Sequence, residues 1–199
     1  MTKTFGKTIA TFGIGVAMTA ITAAQGPPPA PALAVANPNY ASIPMEVTVN
    51  KPAAEVWKRV GKYCDIGEWL QVPCTITSGK DGEIGAVRSI GNEILVGKTE
   101  LSYTYTQPVR VGQTYNMYHG TLEARPVTAT TSKLVYTLLF DNSSLADDAA
   151  RQTDIERRRT TFMRALNNMK ILAEGGTLPP PAPRGAGPGG PGAPPAGGR

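Results

Sequence analysis

Polar and apolar residues alternate along most of the chain between residues 45 and 140, with a helical period only at either end of that stretch. Residues 45–50 read apolar-polar-apolar with β-branched side chains, the pattern of a half-buried strand. Asn50 is placed to cap a helix, Pro52 suits the first turn of that helix, and Ala53, Val56, Trp57 and Val60 form one face before Gly61 stops it. A second short helix is predicted over residues 64–70, ended ahead of Pro73. Strands then follow over residues 74–78, 85–90, 93–101, 102–106, 115–125 and 133–140, separated by Gly, Asn and Asp turns, as in an antiparallel meander.

Residues 147–174 contain no Gly or Pro, and Ile155, Phe162, Leu166, Met169 and Ala173 recur at helical steps, predicting one long amphipathic helix stopped at Gly175-Gly176. Helices do not alternate with strands, so a doubly wound sheet is excluded and the class is α+β. A sheet that curls around its last helix leaves a hollow between them. An apolar hollow with a few polar groups is the expected ligand site.

The ends read differently. Lys3 and Lys7 precede an apolar run from Thr8 to Ala24, then Gln25 and prolines, which is the layout of a secretory signal peptide over residues 1–24. Cleavage after Ala24, or as late as Ala36 at the small-residue triplets 32–34 and 34–36, leaves residues 25–44 as a flexible linker and residues 45–176 as the domain. An uncleaved membrane anchor is the alternative, but the run is shorter and less leucine-rich than a spanning helix. Residues 177–199 are dominated by Gly and Pro and read as a disordered tail, a spacer or a docking segment. A periplasmic or secreted protein is expected, with no stable membrane insertion once the leader is removed.

The net charge of +5 falls to about +1 for the domain, because Lys3, Lys7, Arg184 and Arg199 lie in the ends. The remaining charges are interspersed by sign, which argues against a nucleic-acid partner. Cys64 and Cys74 are the only cysteines. In an oxidising compartment they are expected to close a disulfide; two reduced buried thiols are the alternative, and the missing CxxC spacing argues against redox activity.

Several residues could carry chemistry. His119 is the only histidine and the natural proton-transfer group. Met117, His119 and Thr121 share one strand face and Tyr118, Gly120 and Leu122 the other; the pattern leaves open which is concave. Tyr103 and Tyr105 share a face, as Tyr136 does with Leu134, Leu138 and Phe140, and phenols on an inner wall would suit an aromatic ligand. Arg88 could pair with Glu100 or Glu123 and stabilise a developing enolate or phenolate. Arg159 falls on the Ile155–Phe162 spacing and could reach the hollow; Trp57 and Trp69 read as core, with Trp69 the one of the two placed to reach the rim and a ligand. No metal-ligand spacing, nucleophile elbow or phosphate loop occurs, so neither metal nor cofactor is expected.

Five segments together carry a resemblance: Pro52-Ala53-Ala54-Glu55-Val56-Trp57, Ile66-Gly67-Glu68-Trp69, Gly85-Ala86-Val87-Arg88, Ser102-Tyr103-Thr104-Tyr105, and Ala165-Leu166-Asn167-Asn168-Met169-Lys170 with the closing Leu172-Ala173-Glu174-Gly175-Gly176. In this order they resemble the SRPBCC superfamily, in its polyketide cyclase/dehydrase-like branch of START-type helix-grip proteins. The resemblance implies a curved seven-stranded antiparallel sheet wrapped around a long C-terminal helix, with a ligand cavity between them. Its members bind lipids, hormones, polyketides and aromatic compounds, and some are cofactor-independent cyclases, dehydratases or lyases, so the fold leaves the reaction open. Related chains often continue the helical Trp with His-Pro, whereas Trp69 is followed by Leu70-Gln71.

The expectation is an exported protein acting on an apolar, aromatic or polyketide-like compound. As a lyase, cyclase or dehydratase it would use His119 as acid/base, Tyr103 as hydrogen-bond donor and Arg88 as charge stabiliser, with Tyr105, Trp69, Tyr136, Glu100, Phe162 and Arg159 around the ligand. The alternative is a non-catalytic carrier or sensor of hydrophobic ligands.

Overall fold

The computed structural model describes residue 35 and residues 37–181. The leader over 1–24 and most of the Gly/Pro tail lie outside the described residues.

Strand β1 (Tyr40–Val49) is ten residues long and buries Ala41, Ile43, Met45 and Val49. It therefore begins inside the segment expected to be linker. The inward period two continues back through Ile43 and Ala41, and Pro44 is tolerated because β1 is an edge strand paired only with β7 (Ser132–Asp141). Helix α1 (Ala53–Val60) follows, burying Ala53, Val56 and Val60. Asn50 does not cap it; no side chain does, and the Asn50 backbone N–H donates to Glu174 Oε1 at 2.8 Å. Helix α2 (Ile66–Trp69) is a single turn, shorter than the pattern suggested. The Cys64–Cys74 disulfide ties the segment before α2 to the segment before β2 (Ile76–Ser78).

Strands β3 (Val87–Arg88), β4 (Glu93–Lys98), β5 (Ser102–Thr106) and β6 (Asn116–Pro126) complete the sheet. Its order is β1-β7-β6-β5-β4-β3-β2 and every neighbouring pair is antiparallel, so β2 to β7 form a meander and β1 adds to the β7 edge. Register shifts at Leu95/Gly97 on β4 and Asn116/His119 on β6 mark bulges, the second with Met117 at φ 49°. Bulges bend strands and increase their twist, which curls the sheet.

Helix α3 (Asp148–Ala173) starts at Asp147, whose Oδ1 accepts from the Ala150 N–H at 2.7 Å, and lies against β1, β7, α1 and α2. It buries Asp154, Arg158, Ala165, Leu166, Met169 and Leu172. Ile155, Phe162 and Ala173, expected at the centre of the stripe, are half-buried at its flank. Leu178, placed by sequence in the disordered tail, packs against the core, and the Pro179 carbonyl accepts from Gln71 Nε2.

The sheet's inner face carries Tyr103 and Tyr105 on β5, Tyr118, Gly120, Leu122 and Ala124 on β6, and Leu134, Tyr136, Leu138 and Phe140 on β7. Gly120 is required there by close approach. A Cβ would lie 2.4 Å from the Tyr105 ring, which crosses β6 at that point. Gly120→Ala is expected to lower stability by about 1–3 kcal/mol through overpacking. A urea midpoint unchanged from the parent protein would show that the ring does not need this gap.

Candidate functional site

The side chains between the sheet and α3 are buried and packed in one cluster. Arg88, on the two-residue β3, is wholly buried, although a charged strand residue ordinarily faces water. Its Nε donates to Glu93 Oε2 at 2.6 Å and its Nη1 to the Tyr63 carbonyl at 2.6 Å. Nη2 also lies 2.6 Å from Glu93 Oε2, but off the N–H direction, so it makes an ion-pair contact without an aligned hydrogen bond. The guanidinium carbon stands 4.3 Å from the Tyr63 ring centre and 4.6 Å from that of Tyr105. Gln107 Nε2 donates to the other Glu93 oxygen at 2.8 Å, and the Tyr115 hydroxyl donates to Gln107 Oε1 at 2.7 Å. Burial works against the Arg88 charge, but the phenols and Glu93 around it outweigh that effect and hold it as a cation. Burial pushes the Glu93 carboxyl above its ordinary range, with Arg88 and Gln107 pulling the other way.

Beyond this pair the phenols satisfy one another. The Tyr105 and Tyr136 hydroxyls are 2.7 Å apart, and burial pushes both groups far above the ordinary phenol range. Phe162 lies 4.8 Å from the Tyr136 ring, and Trp69 meets it edge-on at 6.3 Å. At the other end of the interior Arg158 pairs with Asp154 at 2.7 Å and stacks 4.4 Å from both Tyr115 and Phe140.

These positions revise the sequence-based assignments. His119 is on the outer face of β6; its Nδ1 lies 2.8 Å from its neighbour Met117's carbonyl, and Tyr118 and Gly120 take the inner face. It cannot serve as the acid/base of an interior site. Arg88 pairs with Glu93, not with Glu100, which is exposed in the β4–β5 turn, or with Glu123, which pairs with Arg125. Arg159 is half-buried and reaches the Pro44 carbonyl, while Arg158, one residue earlier, turns inward. Trp69 is core rather than rim. Tyr103, Tyr105 and Tyr136 do share the inner wall, but as close packing.

The open space is elsewhere. A cleft of about 490 Å³ lies between the end of α1, the β2–β3 loop and the β4–β5 hairpin. Trp57, Tyr63, Leu95 and Tyr103 line it, with Lys58, Lys62, Lys98, Asp81 and Glu100 at its margins. Trp57 is set by Gly61, whose missing side chain admits the indole; a Cβ would be 2.4 Å from the ring. Trp57 and Tyr103 ring centres are 5.6 Å apart, and Tyr63 meets Tyr103 edge-on at 5.4 Å. Lys98 Nζ donates to the Gly82 carbonyl at 2.6 Å, fixing the β2–β3 loop against β4. The Tyr63 hydroxyl is buried and has no partner. Of the site residues expected from sequence, only Tyr103 and Glu100 border this cleft. Among the described residues no cluster of three His, Cys, Asp or Glu side chains could hold a metal, and no helix is long and apolar enough to cross a membrane.

No family model matches the chain, and no curated protein is significantly similar to it in sequence. Solved structures are similar in fold. A protein from Thermobifida fusca, determined by solution NMR, superposes with a TM-score of 0.56 at 23% identity, over 69% of this chain and 97% of that one. The ZhuI aromatase/cyclase from Streptomyces sp. R1128 gives 0.52 at 19% identity, over 70% and 100%. The di-domain aromatase/cyclase BexL of the BE-7585A biosynthetic pathway gives 0.51 at 18% identity, over 67% and 46%. The chain shares the fold of these structures, a helix-grip arrangement of a curved seven-stranded antiparallel sheet and a long C-terminal helix.

The filled interior makes a stability prediction. Glu93→Leu should destabilise the protein by about 3–5 kcal/mol, because it leaves a buried guanidinium uncompensated, whereas adding Arg88→Met should recover most of the loss. Urea unfolding of the two variants measures this. Equal destabilisation of single and double variants would mean that packing, not charge pairing, dominates at this position.

Proposed function

We propose that the protein is an exported, non-catalytic binder of a small aromatic or polyketide-like compound, which it holds in the cleft beside α1. The cleft itself carries this reading. Its volume falls in the range of small-molecule sites, and its lining combines an indole, two phenols and a leucine with a few polar groups. The fold shared with aromatase/cyclases agrees with small-molecule binding but does not define the compound.

A binder fits better than a lyase or cyclase for a chemical reason. General acid/base catalysis needs a titratable group near neutrality within reach of the ligand. His119 is across the sheet, the Tyr105 and Tyr136 phenols bond each other, and Arg88 is committed to Glu93 and a carbonyl. Export is supported by the leader pattern and by the closed Cys64–Cys74 bond.

Calorimetric titration with 2-methylnaphthalene tests the binding. The parent protein should bind it, Trp57→Ala should bind about tenfold more weakly through the lost ring contact, and His119→Ala should bind equally well. The compound should be recovered unchanged. No binding at the probe's solubility limit, or equal loss in the His119 variant, would remove the cleft from consideration. Export predicts that the protein isolated from its own host begins at Gln25, Val35 or Asn37; an intact Met1 end would contradict it.

A further inference from the structure

We infer that the cleft selects aromatic compounds bearing an acidic group, with the Tyr63 hydroxyl donating to the ligand's oxygen and Lys58 and Lys62 supplying the opposite charge. This rests on the cleft being the binding site and specifies what it takes.

Tyr63 is 2% exposed, yet its hydroxyl has no hydrogen-bond partner. A buried polar atom left unmatched costs about 1–3 kcal/mol, so the chain keeps the phenol where phenylalanine would pack as well. The ring's place is already justified without the oxygen: it lies against the Arg88 guanidinium and meets Tyr103 edge-on. The oxygen is the unexplained part; it is covered in the unliganded structure, so an acceptor reaches it from the cleft that Tyr63 borders only as neighbouring side chains give way. Burial raises the phenol above its ordinary range, so it stays protonated and acts as a donor.

The charge at the margin points to the same class. Lys58 and Lys62 stand on the last turn of α1 and just beyond it, and neither has a carboxylate within 4 Å among the described residues, whereas the neighbouring Arg59 is neutralised by Glu68. Lys98 is held by the Gly82 carbonyl, and Asp81 and Glu100 border the cleft from the β2–β3 loop and the β4–β5 turn. Three ammonium groups and two carboxylates border the cleft, and Asp65 behind it accepts from the Lys62 N–H and is attracted by the Lys62 charge, so Lys58 is the least opposed cation on the α1 side.

Three naphthalene probes separate these contributions: 2-methylnaphthalene has no acceptor, 2-naphthamide a neutral one and 2-naphthoate a charged one. In the parent protein affinity should rise in that order. Tyr63→Phe should weaken the amide and the carboxylate about tenfold and leave the methyl compound unchanged, without lowering the melting temperature of the free protein. Lys58→Gln with Lys62→Gln should weaken only the carboxylate, about fivefold, and flatten its salt dependence. If all three probes bind equally and Tyr63→Phe changes nothing, the selectivity is wrong and the cleft reading stands. If none binds, the cleft reading fails and this inference with it. A lower melting temperature for ligand-free Tyr63→Phe would make the hydroxyl structural and overturn its role.

Discussion

The Arg88–Glu93 pair determines how this sheet and helix are used. A curved sheet closed by a helix encloses volume, and side chains, water or a ligand must occupy it. Here a guanidinium and a carboxylate occupy part of it, sandwiched by Tyr63 and Tyr105 and held by Gln107 and a backbone carbonyl. Desolvating two charges is costly, so the arrangement holds only because nearly every polar atom of the pair finds a partner and the rings stack on the cation. Removing either member alone exposes the other to that cost.

The same device recurs at the other end of the interior. Arg158 and Asp154, four residues apart on one face of α3, pair at 2.7 Å, and the guanidinium is enclosed by Tyr115, Tyr118 and Phe140. Two buried ion pairs wrapped in aromatic rings thus occupy the interior, one between β3 and β4 and one on α3. This explains why the apolar spacing of α3 misses part of its inward face, which carries Asp154 and Arg158 as well as Leu166 and Met169. Charged residues conceal a buried face from any reading based on apolar spacing.

That explains which features the sequence disclosed. The strands and their antiparallel meander follow from period-two alternation and turn residues, and the terminal helix from helical spacing and its Gly175-Gly176 stop, because those signals are local; the pairing of β1 with β7 is not local. The Tyr103, Tyr105 and Tyr136 wall was legible for the same reason. Hidden were the facts that depend on long-range partners: that Glu93 rather than Glu100 or Glu123 meets Arg88, that His119 faces outward, and that α3 turns Arg158 inward instead of Arg159. The strand boundary at Tyr40 was masked by Pro44, which an edge strand accepts. Trp57 could have been found from Gly61, four residues on, where a helix-ending glycine leaves room for the indole against the backbone.

Filling the hollow also decides where a ligand can be held and what can happen to it. Packed interiors resist new volume, so entry under α3 would require displacing fully buried Trp69, Tyr136 and Phe140 or parting two ion pairs. The margin between α1 and the β4–β5 hairpin needs no such displacement, because its lining is set by Gly61 on one side and by the Lys98–Gly82 contact on the other. Its lining is ring surface, a phenol whose hydroxyl has no partner, and ammonium groups at the margin. Proton transfer would have to come from a phenol that burial keeps protonated, or from carboxylates in solvent-exposed loops that no neighbour positions. In the helix-grip fold of this chain the interior beside α3 is taken up by aromatic rings and two ion pairs, and the open space lies at the edge, beside α1.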